Sequence, residues 1–504
     1  MNNFPIEILD TTLRDGEQMS GVAYTASEKL HIARLLLEEV KVDRIEVASA
    51  RVSAGELEAT KRIIEWADNN GKSEQVEVLA FIDGTQSFDW IRQTGARVIN
   101  LLSKGSLKHL TGQLRKTPEV HVADIGKVLE MIAQSDMKAN IYLEDWSNGM
   151  RHSKDYVFFL ADRLKDMPVQ RIMLPDTLGI LSPRETYCFC SEMRHRYPDV
   201  RFDFHAHNDY DLAVANTLAA VEAGMNGVHA TVNGLGERAG NAPLASVIAV
   251  LKDHTQGALR VHEEKLTPVS KMVETFSGIR TPANKPIVGE NVFTQASGIH
   301  ADGDNKDKLY YNDLLPERFG RVRKYALGKT SGKSNIGKNL EELGIQLDPE
   351  AMQRVTNRIV ELSDRKENVT VEDLPYIISD VLRSESTRQR IHVRNYSLNV
   401  AEGLKSVATL SLDMAGQCYE ETAAGDGQYD AFMNALRKIY APLNRVLPKL
   451  TDYVVTIPPG GRTDALVETV ITWQLGDREF KTRGLDSDQT VSAIQATVKM
   501  LNII

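Results

Sequence analysis

Residues 171–209 read RIMLPDTLGILSPRETYCFCSEMRHRYPDVRFDFHAHND, and the rhythm of this stretch decides the fold. An apolar run at 171–174 (RIML) ends in a polar turn, Ser182-Pro183 opens an amphipathic segment, and a second short run follows at 201–205 (RFDFH). Serine followed by proline is a helix N-terminal cue, so the stretch predicts strand, helix, strand. Working outward, the same alternation recurs at 6–9 (IEIL), 43–48 (DRIEVA), 76–81 (VEVLAF), 97–102 (ARVINL), 139–143 (ANIYL) and 227–232 (GVHATV). Eight strands, each followed by a helix, over about 250 residues predict an α/β chain folded as a (β/α)8 TIM barrel, with a doubly wound open sheet as the alternative.

A barrel places its chemistry at the C-terminal ends of its strands. The unusual polar residues stand there: Asp10 to Asp15, Glu46, Glu144, Asp176 with Thr177, His205 with His207, and Asn233 to Asn241. Residues two apart on a strand share a face, so the two imidazoles of His205-Ala206-His207 can share one metal ion; a pair of satisfied polar histidines is the other reading. Asp15 could add a carboxylate and Asn241 an amide oxygen. Two imidazoles and two oxygens suit a divalent cation, Mg2+, Mn2+ or Zn2+, without choosing among them. Arg14, beside Asp15, is suited to stabilising negative charge on a carbonyl oxygen.

Other motifs carry less. Gly234-Leu235-Gly236-Glu237-Arg238-Ala239 fits the dinucleotide pattern, but it follows the last strand instead of opening a first βαβ unit, so it is read as a turn holding Glu237 and Asn241. Gly328-Lys329-Thr330 resembles the end of a phosphate loop, yet Arg323 stands where the first glycine belongs. Cys188 and Cys190 are expected to be small core residues of a helix, and His300 to lie in a polar loop, HADGDNKDK, with Tyr310 just beyond.

The chain has 504 residues, is 42% hydrophobic and 26% charged, and carries a net charge of −9. That is ordinary globular composition, and the acidic balance argues against nucleic-acid or anionic-membrane partners. Three cysteines cannot build a disulfide framework, no apolar run approaches the roughly 20 residues of a membrane span, and no signal peptide is visible at the N-terminus. A cytoplasmic location is expected. Three units are foreseen: a barrel over 1–265, a helical connector or lid over 266–391, and an α+β domain over 392–504. In the last, strand-strand-strand-helix occurs twice, with runs near 394–400, 406–413 and 416–422, then 450–457, 466–475 and 478–483.

DTTLRDGEQ (10–18), FHAHND (204–209), NGLGERAGNAPL (233–244) and SGIHADG (297–303) together resemble the acyl-CoA-dependent synthases of the metal-dependent aldolase-like barrel group, the 2-isopropylmalate, homocitrate and citramalate synthases. VASARVSAGE, YLEDWSNG and TRGLDSDQT are most similar to the (R)-citramalate synthases of the pyruvate route to isoleucine. The resemblance implies that Asp15, His205, His207 and Asn241 hold the metal, that Arg14 polarises the keto group, and that Thr177 binds the substrate carboxylate. It implies proton handling by Glu144, His300 and Tyr310, a side-chain pocket of Leu79, Leu102 and Tyr142, and a substrate contact from Asp302. Acetyl-CoA is the implied co-substrate and pyruvate the 2-oxo acid. A homodimer is implied, with isoleucine bound by Tyr429, Asp430, Leu450, Tyr453, Ile457, Thr463 and Val467 in a C-terminal regulatory domain. 2-Isopropylmalate synthase, taking 2-oxoisovalerate for leucine synthesis, is the first alternative, and a hydroxy-acyl-CoA lyase of the same barrel group the second.

Overall fold

The computed structural model describes residues 6–135, 137–364, 369, 371–382, 391–414, 416–443, 445–456 and 467–503. It divides into two compact units, Met1–Phe293 with Tyr311–Arg323, and Thr294–Tyr310 with Lys324–Ile504. Among the described residues, no helix is long and apolar enough to cross a membrane.

The first unit is a closed parallel barrel. Its strands are β1 Glu7–Asp10, β2 Arg44–Ser49, β3 Val76–Phe81, β4 Val98–Lys104, β5 Lys138–Glu144, β6 Arg171–Asp176, β7 Phe202–Ala206 and β8 Gly227–Ala230. They pair in sequence order and β8 closes onto β1, so the open-sheet alternative is set aside. The helices begin where the sequence caps them. Ser182 and Glu185 form a reciprocal capping box ahead of the helix Pro183–Arg196, and Thr25 with Glu28 does the same ahead of Ala26–Arg34. One expectation for this region is corrected: Cys190 is buried but Cys188 is exposed. Residues two apart on a helix face different directions, so both could not reach the core.

Alternation along the strands builds two different cores. One set of side chains, including Ile8, Ile45, Val78, Ile141, Leu174 and Phe204, packs outward under the helices in a continuous apolar cluster. The opposite set fills the barrel and is largely polar. Arg44 pairs with Glu77 at 2.8 Å, Asp203 at 2.5 Å and Glu7 at 3.2 Å. Arg171 pairs with Glu7 and, at 3.2 Å, with Asp203. The Asn100 amide donates to Glu46 (2.7 Å) and Glu77 (2.8 Å), and Asn140 donates to Asn100 (2.9 Å). Gly227 makes room for this cluster, because a Cβ there would lie 2.5 Å from an Asp203 carboxylate oxygen. A small apolar layer of Leu9, Leu79, Leu102, Tyr142 and Met173 completes the interior.

In the second unit the expected repeat is present. Strands β9 Ile391–Asn399, β10 Ser406–Met414 and β11 Gln417–Gly425 precede the helix Gln428–Tyr440; β12 Lys449–Thr456, β13 Val467–Leu475 and β14 Arg478–Asp486 precede the helix Gln489–Ile503. Each triplet is an antiparallel sheet. Both copies feed one core, in which Leu410, Phe432, Ile471, Trp473 and Met500 are fully or almost fully buried. His300 does not lie in a loop: it is on the helix Gly298–Asp307. The polar run supplies its own support there, through an Asp302–Lys306 ion pair one turn apart at 2.6 Å.

Removing one partner of a buried ion cluster strands the others in low dielectric, at a cost of about 3–5 kcal/mol. Arg44→Met is therefore expected to lower the urea-unfolding free energy of the barrel by about that amount. An unchanged unfolding midpoint would show that Glu7, Glu77 and Asp203 do not depend on Arg44.

Candidate metal centre and active site

The turn after β1 is wound around one carbonyl. Thr11 O accepts the N–H groups of Arg14 (3.1 Å), Asp15 (2.8 Å) and Gly16 (3.1 Å), and Thr12 Oγ1 accepts the N–H of Val232, tying the turn to the end of β8. Asp15 is thereby held, 2% exposed, in the turn beyond the C-terminal end of β1. His205 Nε2 lies 3.1 Å and His207 Nε2 3.8 Å from the same Asp15 oxygen. The three side chains can bring ligand atoms within 4.8 Å of one another.

Asn241 joins from the glycine-rich turn. Its backbone bridges to His207, and its Nδ2 donates to Leu235 O at 3.0 Å. Its Oδ1 is buried without a partner. Gly236 has φ +151°, and a Cβ there would overlap the Asn241 amide, so glycine is needed for the approach. Two imidazoles, a carboxylate and an unpaired amide oxygen fit a hard or borderline divalent cation. Burial lowers His207 to about 4, only partly offset by Asp15, so it is neutral and its lone pair is available.

Arg14 completes the centre. Its Nε donates to Glu46 Oε2 at 2.5 Å and its Nη1 lies 3.4 Å from Asp15. Burial would raise the Asp15 carboxyl, but Arg14 and the two histidines hold it well below the usual carboxylate range. Glu46, fully buried, is the functional partner that sequence reasoning placed at a strand end without giving it a task. The Tyr142 hydroxyl lies 3.1 Å from His229 Nδ1 and 3.4 Å from Glu46. Leu79 (4% exposed) and Leu102 adjoin the Tyr142 ring in the apolar layer.

The remaining candidates fall into separate groups. Glu144, at the end of β5, accepts from the Lys104 ammonium. Thr177 Oγ1 accepts the Asp145 N–H at 2.9 Å, which leaves its own proton to donate; its carbonyl accepts from Arg238, which is also clamped on Asp209. His300 and Tyr310 belong to the second unit, where their rings lie 4.1 Å apart and His300 Nδ1 is 3.2 Å from Gln295 Oε1. Of the effector candidates, Tyr429 and Tyr453 have ring centroids 5.5 Å apart, and the Tyr429 hydroxyl meets Thr497 at 2.7 Å. Asp430 accepts from the Asp426 N–H and the Asn434 amide. Leu450 is exposed on β12, Val467 is buried on β13, and Ile457 and Thr463 lie outside the described residues.

Three family models match the chain: HMGL-like over residues 5–273, homocitrate synthase post-HMGL domain-like over 287–367, and LeuA allosteric (dimerisation) domain over 368–504. A protein of Methanopyrus kandleri described as a candidate (R)-citramalate synthase is 36% identical, covering 86% of this chain and 83% of its own. The (R)-citramalate synthase of Methanocaldococcus jannaschii is 31% identical over 99% of both chains. The 2-isopropylmalate synthase of the same organism is 32% identical over 99% of this chain and 94% of its own.

Asp15→Asn keeps the shape of the donor and removes its charge. Two unit charges about 4 Å apart at an effective dielectric near 20 interact by about 4 kcal/mol, and the divalent ion doubles this, so Mn2+ affinity measured by calorimetry is expected to fall by at least about 1,000-fold. Asp10, five residues earlier, is pushed the other way: burial raises it to about 7 despite the N–H of Thr12. Between about pH 4 and pH 7 the native state therefore holds a proton that the unfolded chain has lost, and stability falls as pH rises through that window. Asp10→Asn, which imitates the protonated acid, is expected to flatten this part of the urea-midpoint profile against pH.

Proposed function

The chain belongs to the family of citramalate and 2-isopropylmalate synthases, and from that membership we propose that it condenses acetyl-CoA with pyruvate, releasing (R)-citramalate and CoA. At the coarser level, the family reaction joins the acetyl group of acetyl-CoA to a 2-oxo acid. The observation that carries the reading is the convergence of Asp15, His205 and His207 beside Arg14 in the mouth of a closed barrel.

Asp15, His205, His207 and Asn241 would hold a divalent cation, Mg2+, Mn2+ or Zn2+. When bound, the cation supplies Lewis acidity toward the oxygens of the 2-oxo acid. The chain's own residues do the rest. Arg14 stabilises the charge that develops on the keto oxygen as a carbon nucleophile adds to C2. Thr177, whose hydroxyl already accepts a backbone N–H, donates its proton to the substrate carboxylate. A methyl proton leaves acetyl-CoA for a base, the new carbon–carbon bond forms, the alkoxide is protonated, and water cleaves the thioester to carboxylate and free CoA. Glu144, His300 and Tyr310 are assigned to these proton transfers. Leu79, Leu102 and Tyr142 form the wall facing the substrate side chain. Three bulky side chains there leave space for a methyl and crowd an isopropyl group.

The three units take separate tasks under this reading: 1–265 condenses, 266–391 connects and covers, and 392–504 dimerises and senses isoleucine. Support for the last comes from the LeuA match and from the Tyr429–Tyr453 pair between the two repeats. The similar identity to a 2-isopropylmalate synthase keeps 2-oxoisovalerate as the second reading.

A CoA-release assay with acetyl-CoA and, in parallel, pyruvate, 2-oxobutanoate, 2-oxoisovalerate and 2-oxoglutarate decides between them. Pyruvate is expected to have the highest kcat/KM, with 2-oxobutanoate lower by roughly 10- to 200-fold, the range one methylene commands. Preference for 2-oxoisovalerate overturns the pyruvate assignment. Isoleucine at saturation is expected to inhibit and to raise the melting temperature; neither effect means that the effector assignment is wrong.

A further inference from the structure

The Tyr142 ring meets three parts of the centre at once. Arg14 lies 5.8 Å from its centroid, His205 packs edge-on at 6.2 Å, and Leu9, Leu79, Leu102 and Met173 share its apolar layer. Its hydroxyl has two candidate partners, His229 Nδ1 at 3.1 Å and Glu46 Oε2 at 3.4 Å. The polar cluster below settles which one it uses. His229 Nε2 is 3.5 Å from Asp203 Oδ2. The Asp203 carboxylate is held in ion pairs with two guanidiniums, Arg44 at 2.5 Å and Arg171 at 3.2 Å. An imidazole nitrogen that faces a carboxylate paired with two guanidiniums carries the proton, which leaves Nδ1 as the acceptor. Nδ1 is the nearer acceptor, 3.1 Å against 3.4 Å, and Glu46 Oε2 already accepts from Arg14, so the phenol is directed to His229.

Resting on the condensation reading above, we propose that His229 is the positioning residue that sets side-chain specificity: by fixing the Tyr142 hydroxyl, it holds the ring as one wall of the 2-oxo acid pocket. The order of dependence runs from Arg44 and Arg171 through Asp203 and His229 to Tyr142. Without His229 the phenol is left buried with Glu46, among the described residues, as its other acceptor within 3.5 Å. Turning there moves the ring away from Leu79 and Leu102, enlarges the pocket, and competes with Arg14 for the carboxylate. Asparagine at position 229 can present an amide oxygen where Nδ1 stood; leucine cannot.

The test compares wild type, His229→Leu, His229→Asn, Tyr142→Phe and the His229→Leu/Tyr142→Phe double variant, each folded full-length protein assayed on pyruvate and 2-oxobutanoate. His229→Leu is expected to raise the ratio of kcat/KM for 2-oxobutanoate over pyruvate by about tenfold, the low end of what one methylene commands, mainly through a higher KM for pyruvate. His229→Asn should return the ratio toward wild type. Tyr142→Phe should shift the ratio in the same direction, and His229→Leu should add nothing in that background. A purely structural role would lower the melting temperature without moving the ratio. The proposal is overturned if His229→Leu leaves the ratio unchanged, or shifts it as much in the Tyr142→Phe background as it does alone. If wild type turns over no 2-oxo acid, the condensation reading fails, and the specificity role with it. Urea midpoints then judge the His229–Tyr142 link alone: losses that do not add in the double variant sustain it, and additive losses remove it.

Discussion

The Arg14 guanidinium is shared between two buried carboxylates, Glu46 at 2.5 Å and Asp15 at 3.4 Å, and the rest of the centre depends on this division. A carboxylate removed from water neutralises itself unless a cation stands beside it. Arg14 keeps Asp15 ionised, and so able to serve as a metal donor; Glu46 keeps Arg14 in place. Glu46 in turn is tied through Asn100 to Glu77, Glu77 to Arg44, and Arg44 to Asp203. Carboxylates outnumber guanidiniums along this chain of contacts. At the mouth Asp15 and Glu46 face the single guanidinium of Arg14, and the negative charge left over lies beside the histidines, where a divalent cation can be accommodated. The overall charge of −9 therefore matters less to an anionic substrate than the local order of charges, because the field it meets is set by the groups within a few ångströms.

The fold was legible because two periods are written in the chain. Runs such as RIML and ANIYL mark strands, and Ser182-Pro183 marks a helix start, so the eight strands were placed within a few residues of where they lie. The mouth was legible for a related reason: His205, His207, Asp15 and Asn241 are conspicuous at strand ends, where a barrel collects its chemistry. The floor of the barrel was not. DRIEVA and VEVLAF alternate charged and apolar residues, the same pattern as a strand with one face in water. Only closure of the sheet turns Arg44, Glu46 and Glu77 inward, and closure is a property of all eight strands together. Asp203 and His229 were invisible for the same reason. The helix around His300 was missed because its sequence is polar on every side, leaving no apolar stripe to read.

Polar cores are seldom the most stable solution, since apolar side chains of similar volume often serve as well or better. What this one supplies is register. Asp203 and His205 stand two apart on β7 with His207 two further on, just past the strand's end, and the first of them must meet Arg44 and Arg171 while Gly227 stands opposite with no side chain in the way. A slip of one residue would turn Asp203 out among the apolar contacts of the helices and strand two buried guanidiniums. The register that satisfies the arginines is thus the register that points both imidazoles at Asp15. Asp203 of the floor cluster and the two histidines of the candidate metal site follow one row at the end of one strand, so the interaction that holds the barrel in alignment also positions those imidazoles.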